Sequence, residues 1–192
     1  MSTRQELVEA ALRLASTSGF GALSVRGVAR EAGVGATTLR HYFPSQADLH
    51  LAVTTELVTS LLHDLDIEDD TGDPAGRLYD CLEQFLPDPA REISLRGSWF
   101  DLYCTALAPN APAALRNVLR AAHEASATAV RRWLSALVAQ GHLAEEDVED
   151  QAAHVLAMIN GLHLCAVIEP ERYDLPREKR LLRWYTRRLL SG

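Results

Sequence analysis

Five residues within a six-residue window, Thr37, Thr38, Arg40, His41 and Tyr42, bring together groups that hydrogen-bond nucleic acid. Two hydroxyls and a phenol can donate to phosphate oxygens, and a guanidinium carries the paired donors that match the O6 and N7 acceptors of guanine. Ser24, Arg26 and Gln46 lie near expected helix starts, where free backbone N–H groups attract anions such as phosphate. The competing reading makes all of these solvated residues on the outside of a small helical bundle. Two further positions nearby, Leu39 and Phe43, read as core.

Other chemistries find less material. Cys81, Cys104 and Cys165 are odd in number, far apart and without a C-x-x-C pair, so buried, reduced thiols are expected. The seven histidines are scattered; His154 and His163, nine apart, sit two and a half turns away from each other along one helix, and no protein metal site is expected. No nucleophile–base pair or cofactor constellation shows a recognisable spacing, which argues against an enzyme. The net charge of −7 speaks at first against nucleic acid. Its distribution speaks for it. Residues 1–46 hold five arginines against three glutamates, a net +2, which leaves −9 for the remainder.

The 192 residues suffice for one medium domain, or for a small head joined to a larger body, and 47% hydrophobic with 23% charged residues is ordinary globular composition. No run approaches 18 uncharged apolar residues and MSTRQELVEA lacks an apolar signal core, so a cytoplasmic chain without membrane contact is expected. Apolar residues at Leu7, Val8, Ala11, Leu12, Leu14 and Ala15 predict a helix over Thr3–Ser18, opened by Thr3 and Glu6 and closed at Gly19. Ser24 can cap a short helix to about Glu31, with Val25, Val28 and Ala29 inward. A turn at Ala32–Gly33 leads into a helix over roughly Gly35–Tyr42, too short to be stable alone and stopped by Pro44. Ser45 and Asp48 form a capping box for a longer helix from Gln46 to about Leu65.

The acidic stretch Asp64–Pro74 reads as a surface loop. Helical patterns then cover Ala75–Leu86, Ala90–Leu107, Ala113–Gln140, about Glu145–Ile168, and Pro176–Leu190. Nothing alternates with period two and no repeat is evident, giving an all-α chain of about nine helices.

A short helix, a tight turn and a second short helix make the unit that presents a helix to the DNA major groove. Ala29 is small where two helices cross closely, Gly33 sits where the turn requires positive φ, and Leu39 anchors the second helix. The run V-R-G-V-A-R-E-A-G-V-G-A-T-T-L-R-H-Y-F-P-S-Q-A-D-L over Val25–Leu49 closely resembles the signature of the TetR family of transcriptional regulators. Its most specific part is T-L-x-x-x-F-P-S at Thr38–Ser45. Two positions depart from the usual pattern: Arg40 stands where a tyrosine is commonest and Gln46 where a lysine is, and both bear on DNA contacts. Tyr42 keeps the aromatic position that often touches a phosphate in the family.

The resemblance implies a DNA-binding head at 1–46 and a helical ligand-binding and dimerisation body at 47–192. It also implies a repressor that binds a palindromic operator as a dimer and is released by a small-molecule effector. Phe85, Trp99, Phe100, Tyr103, Cys104 and His123 gather aromatic and polar groups that can line a pocket, or simply pack as core. W-x-x-x-Y before Ala108-Pro109, Leu115-Arg116 and Ile159-Asn160-Gly161-Leu162 are similar to a branch that includes choline-pathway repressors.

Val148, Ala152, Val155, Ile159, Leu162 and Ala166 form a stripe that Leu156, His163 and Val167 widen, and Leu181, Leu182, Tyr185 and Leu189 form a second. Two copies of this helix pair would bury both stripes in a four-helix interface, the alternative being an intrachain bundle only. An activator of the same fold, or a ligand-independent architectural binder, would share the head. The helix from Ser45 to Leu65 is expected to be continuous and to act as a lever between head and body.

Overall fold

The computed structural model describes residues 3–18, 22–87, 103–104, 106–109, 111, 113–145 and 148–191. Among them are eight α-helices and no strand: α1 (Thr3–Ser18), α2 (Val25–Glu31), α3 (Ala36–Tyr42), α4 (Gln46–Leu61), α5 (Pro74–Glu83), α6 (Ala113–Ala139), α7 (Val148–Ile168) and α8 (Leu175–Leu189). The helix expected over Ala90–Leu107 lies mostly outside the described residues, although Tyr103, Cys104, Ala106 and Leu107 are helical. The chain divides into two compact units, one within Met1–Ser60 and Pro89–His123, the other within Leu61–Asp88 and Glu124–Gly192.

In the first unit, α1 to α4 enclose a core of Leu7, Val8, Ala11, Leu14, Leu23, Val28, Ala29, Leu39, Phe43, Leu49 and Val53. Neither α2 nor α3 exceeds seven residues, too few to hold a helix in water, so this shared core is what makes them helical. Ser24 opens α2: its Oγ accepts the Gly27 N–H at 3.1 Å. At the other end Val34 N–H reaches the Ala29 carbonyl at 2.9 Å and Gly33 N–H the Arg30 carbonyl at 3.2 Å, with Gly33 at φ +67°. This pair of bonds closes a helix through one left-handed residue, which a glycine adopts without steric cost. A second glycine is required by space. A Cβ on Gly27 would lie 3.0 Å from the Ala22 carbonyl oxygen and 3.2 Å from a Leu14 methyl. The capping box of α4 forms as expected, with Asp48 N–H donating to Ser45 Oγ at 3.1 Å and Ser45 N–H to Asp48 Oδ2 at 2.9 Å. On the same helix, Thr54 is buried and its Oγ1 has no hydrogen-bond partner among the described residues.

In the second unit the chain leaves α4 four residues earlier than the apolar pattern suggests. Gln84 brackets His63, accepting its N–H and donating to its carbonyl, both at 2.8 Å. The Asp64 carboxylate receives Arg132 Nε–H at 2.8 Å and the indole N–H of buried Trp133 at 2.7 Å. Leu65 then turns to φ +44° with its side chain outward, and the Ile67 carbonyl takes Arg77 at 2.7 Å and Gln140 at 3.0 Å. These side-chain bonds replace the backbone bonds that a longer helix would make, and local periodicity cannot register partners 10 to 73 residues away. Asp73 caps α5, and α5 packs along α8, where Lys179 pairs with Glu83 at 2.7 Å and the Arg183 guanidinium lies 4.3 Å over the Tyr79 ring.

One expectation is corrected. Cys81 is buried, its thiol donating to the Asp64 carbonyl and its pKa pushed up by burial to about 12, but Cys165 is half-buried and Cys104 exposed. By length and composition α7 suffices to cross a membrane: an 18-residue window has mean hydropathy 1.5, with 33% of it buried inside the chain. Gln151, His154, Asn160 and His163 are the polar interruptions of its apolar sequence.

Candidate nucleic-acid interface

The turn at Gly33 and the buried Leu39 fix α3 with its opposite face outward, which leaves Thr37, Thr38, Arg40 and His41 exposed. Among the described residues, Thr37, Thr38 and Arg40 have no side-chain partner within the chain. Donors left in this state are available to an external acceptor. Tyr42 is half-buried, its ring edge-on to His41 with centroids 5.1 Å apart. Arg26, near the start of α2, is exposed as well.

Ser24 and Gln46 are both engaged locally. The Ser24 oxygen caps α2, which leaves its hydroxyl proton free to be donated. Gln46 donates its amide to the Leu23 carbonyl at 3.1 Å, and His50, one turn further along α4, meets the same oxygen through Nε2 at 2.8 Å. Since a carbonyl only accepts, Nε2 of His50 carries the hydrogen. The pair ties the start of α4 to the entry of α2 and so fixes the head. His50 was overlooked in the sequence; its i, i+4 spacing from Gln46 on one face was the available signal. Arg4 was overlooked too, and its guanidinium lies over the Phe43 ring, 5.4 Å from the centroid.

The described residues expected to line an effector pocket are divided between the two units. Phe85 is half-buried in the second, edge-on to Trp133 with centroids 6.1 Å apart. Tyr103, Cys104 and His123 belong to the first. Tyr103 is half-buried, and burial raises the pKa of its phenol, whereas Cys104 and His123 are exposed. Trp99 and Phe100 lie outside the described residues.

A family model described as BetI-type transcriptional repressor, C-terminal, matches residues 74–191, and one described as bacterial regulatory proteins, tetR family, matches residues 7–53. The chain belongs to the TetR family. It is a transcriptional regulator by that membership. HTH-type transcriptional regulator PksA of Bacillus subtilis (strain 168) is 28% identical over 185 residues, 93% of this chain and 85% of that protein. A transcriptional regulator of Rhodococcus sp. Rha1 superimposes with a TM-score of 0.68 at 26% identity, covering 100% of this chain and 97% of the other. A multidrug binding protein, EbrR, solved with imidazole, gives 0.63 at 25% identity over 99% and 96%.

In this TetR-family regulator the residues expected at a dimer contact are divided by burial. Val155, Ile159, Leu162 and Leu182 are buried inside the chain and are core; His163, Tyr185 and Leu189 are half-buried. Tyr185 donates its hydroxyl to Gln151 at 3.1 Å, joining α8 to α7. The 3–4 spacing that marked the stripe is the same whether a helix faces its own chain or another, so the pattern alone could not tell the two apart. What α7 leaves outside is a stripe that shares only Val167 with the expected one: Ala153, Ala157, Gly161, Leu164, Val167 and Ile168, together with Trp184 of α8, which is 63% exposed.

Proposed function

We propose that this chain is a dimeric repressor that reads a palindromic DNA operator with residues 1–46 and loses its grip when a small-molecule effector binds in residues 47–192. The observation that carries the reading is the outward face of α3, where Thr37, Thr38 and Arg40 stand exposed on a helix whose entry is fixed by the left-handed Gly33. Thr37, Thr38, Arg40 and His41 make the groove contacts; Tyr42, Arg26, Ser24 and Gln46 hold phosphates. Two such heads are required because one half-site supplies only half of the contacts.

The second copy docks on the outward stripe of α7 and on Trp184. Its small residues at 153, 157 and 161 let two helices approach closely, and the apolar residues after them supply the area removed from water. Effector binding in the body is supported by EbrR, a relative described as a multidrug binding protein. Phe85, Trp99, Phe100, Tyr103, Cys104 and His123 remain the residues assigned to it. An effector acts by preferring one of two arrangements of the body, which α4 passes to the head; coupling of this kind is usually about 1–3 kcal/mol.

The test is to footprint the DNA beside the protein's own gene in the cytoplasmic host, then measure affinity for the protected fragment. Protection of two half-sites about one helical turn apart, centre to centre, is the expected result. A single half-site bound with full affinity by a monomer would overturn the dimeric reading, and fragments bound but never repressed in cells would turn the repressor into an activator.

A further inference from the structure

Arg4 breaks a local rule. It sits in the first turn of α1, where the helix dipole disfavours a cation, and among the described residues no carboxylate pairs with it. Instead its guanidinium is held over the ring of Phe43, 5.4 Å from the centroid, while remaining exposed. Phe43 directly follows Tyr42, so α1 delivers a fixed, unneutralised cation to the end of α3 at which the DNA-facing residues stop. Stacking uses only the face of a guanidinium. The N–H groups in its plane stay free to bind an anion, and the side chain is ordered in advance, so less rotamer freedom is lost when it does. Local rules tend to be broken where function requires it, and a charge that destabilises its own helix without an internal partner fits that pattern.

We propose that Arg4 is a further DNA-binding residue: it clamps a backbone phosphate of the duplex beside the half-site read by α3. The assignment rests on the DNA-binding reading above. A phosphate clamp carries no base information, so its contribution is equal on every sequence and is lost with rising salt.

The experiment uses the full chain and a fluorescently labelled 30-bp duplex of arbitrary sequence, with anisotropy measured from 50 to 300 mM KCl for wild type, Arg4→Gln and Arg4→Lys. A second duplex of unrelated sequence serves as control, and circular dichroism melts verify that each variant is folded. For each chain bound, Arg4→Gln should lower the slope of log affinity against log salt by about 0.9, which is ~8-fold in affinity at 0.1 M salt, equally on both duplexes. Arg4→Lys keeps the charge and should keep most of the slope. A folded Arg4→Gln with the wild-type slope overturns the proposal, as does a loss confined to one duplex, which would make Arg4 a base reader. If wild type itself binds neither duplex, the DNA-binding reading fails and this proposal with it.

Discussion

Arg40 and Tyr42 stand two residues apart on α3 and differ in what they can recognise. The Arg40 guanidinium can bond two acceptors on one base edge, so Arg40→Ala should lose about 1–3 kcal/mol on the operator and relax the preference at one position per half-site. Tyr42→Phe removes one hydroxyl and should weaken every duplex alike, by about 1 kcal/mol. Competition against a library of single-base operator variants separates the two, and equal losses for Arg40→Ala on all of them would move Arg40 to the backbone. The glycines on either side of α2's end make a second contrast. At Gly33 a Cβ would meet nothing within 4 Å, so Gly33→Ala isolates the strain of φ +67° and should destabilise by about 1–2 kcal/mol in urea unfolding. At Gly27 the backbone is helical and the obstacle is space: Gly27→Ala should cost about 1–3 kcal/mol by crowding the Ala22 carbonyl.

The elements were read from the sequence with uneven success, and the reason is physical. Helices α1 to α3 and their caps follow from residues within five positions of one another, such as Ser24 with Gly27 or Ala29 with Val34, and these contacts are legible locally. The end of α4 is set by Asp64, whose partners Arg132 and Trp133 lie 68 and 69 residues away, and no local pattern announces them. The exposed face of α3 was legible for a related reason: once Leu39 is assigned to the core, the rest of a two-turn helix has to point outward. The Asp64 contact makes its own prediction. Arg132 first, and then Trp133, hold the Asp64 carboxyl below the ordinary aspartate value of 3.8. A depressed folded pKa contributes stability that is present above the unfolded value and is lost as pH falls through the folded one. The advantage of wild type over Asp64→Asn in melting temperature should therefore be constant from pH 5 to 7 and shrink below about pH 3.8. An advantage that persists unchanged at lower pH would mean that packing, and not charge, holds the segment.

For the whole molecule, burial decides which substitutions separate folding from association. Ile159 is core, so Ile159→Asp should unfold the chain, whereas Leu164→Asp and Ile168→Asp place charge on a face that is already wet in one copy. These two should yield a folded monomer of 21.1 kDa by sedimentation where wild type gives twice that mass, with tight operator binding lost in step. Retention of the dimer in both variants would move the interface elsewhere. Thr54 adds a last consequence, concerning heat. A buried hydroxyl without a partner among the described residues has given up its hydration and received nothing from them in exchange, while a methyl group in its place has almost the same shape and nothing to desolvate. Thr54→Val should therefore make the protein melt a few degrees higher, a gain of about 1 kcal/mol, so this fold tolerates warmer conditions than its natural sequence uses.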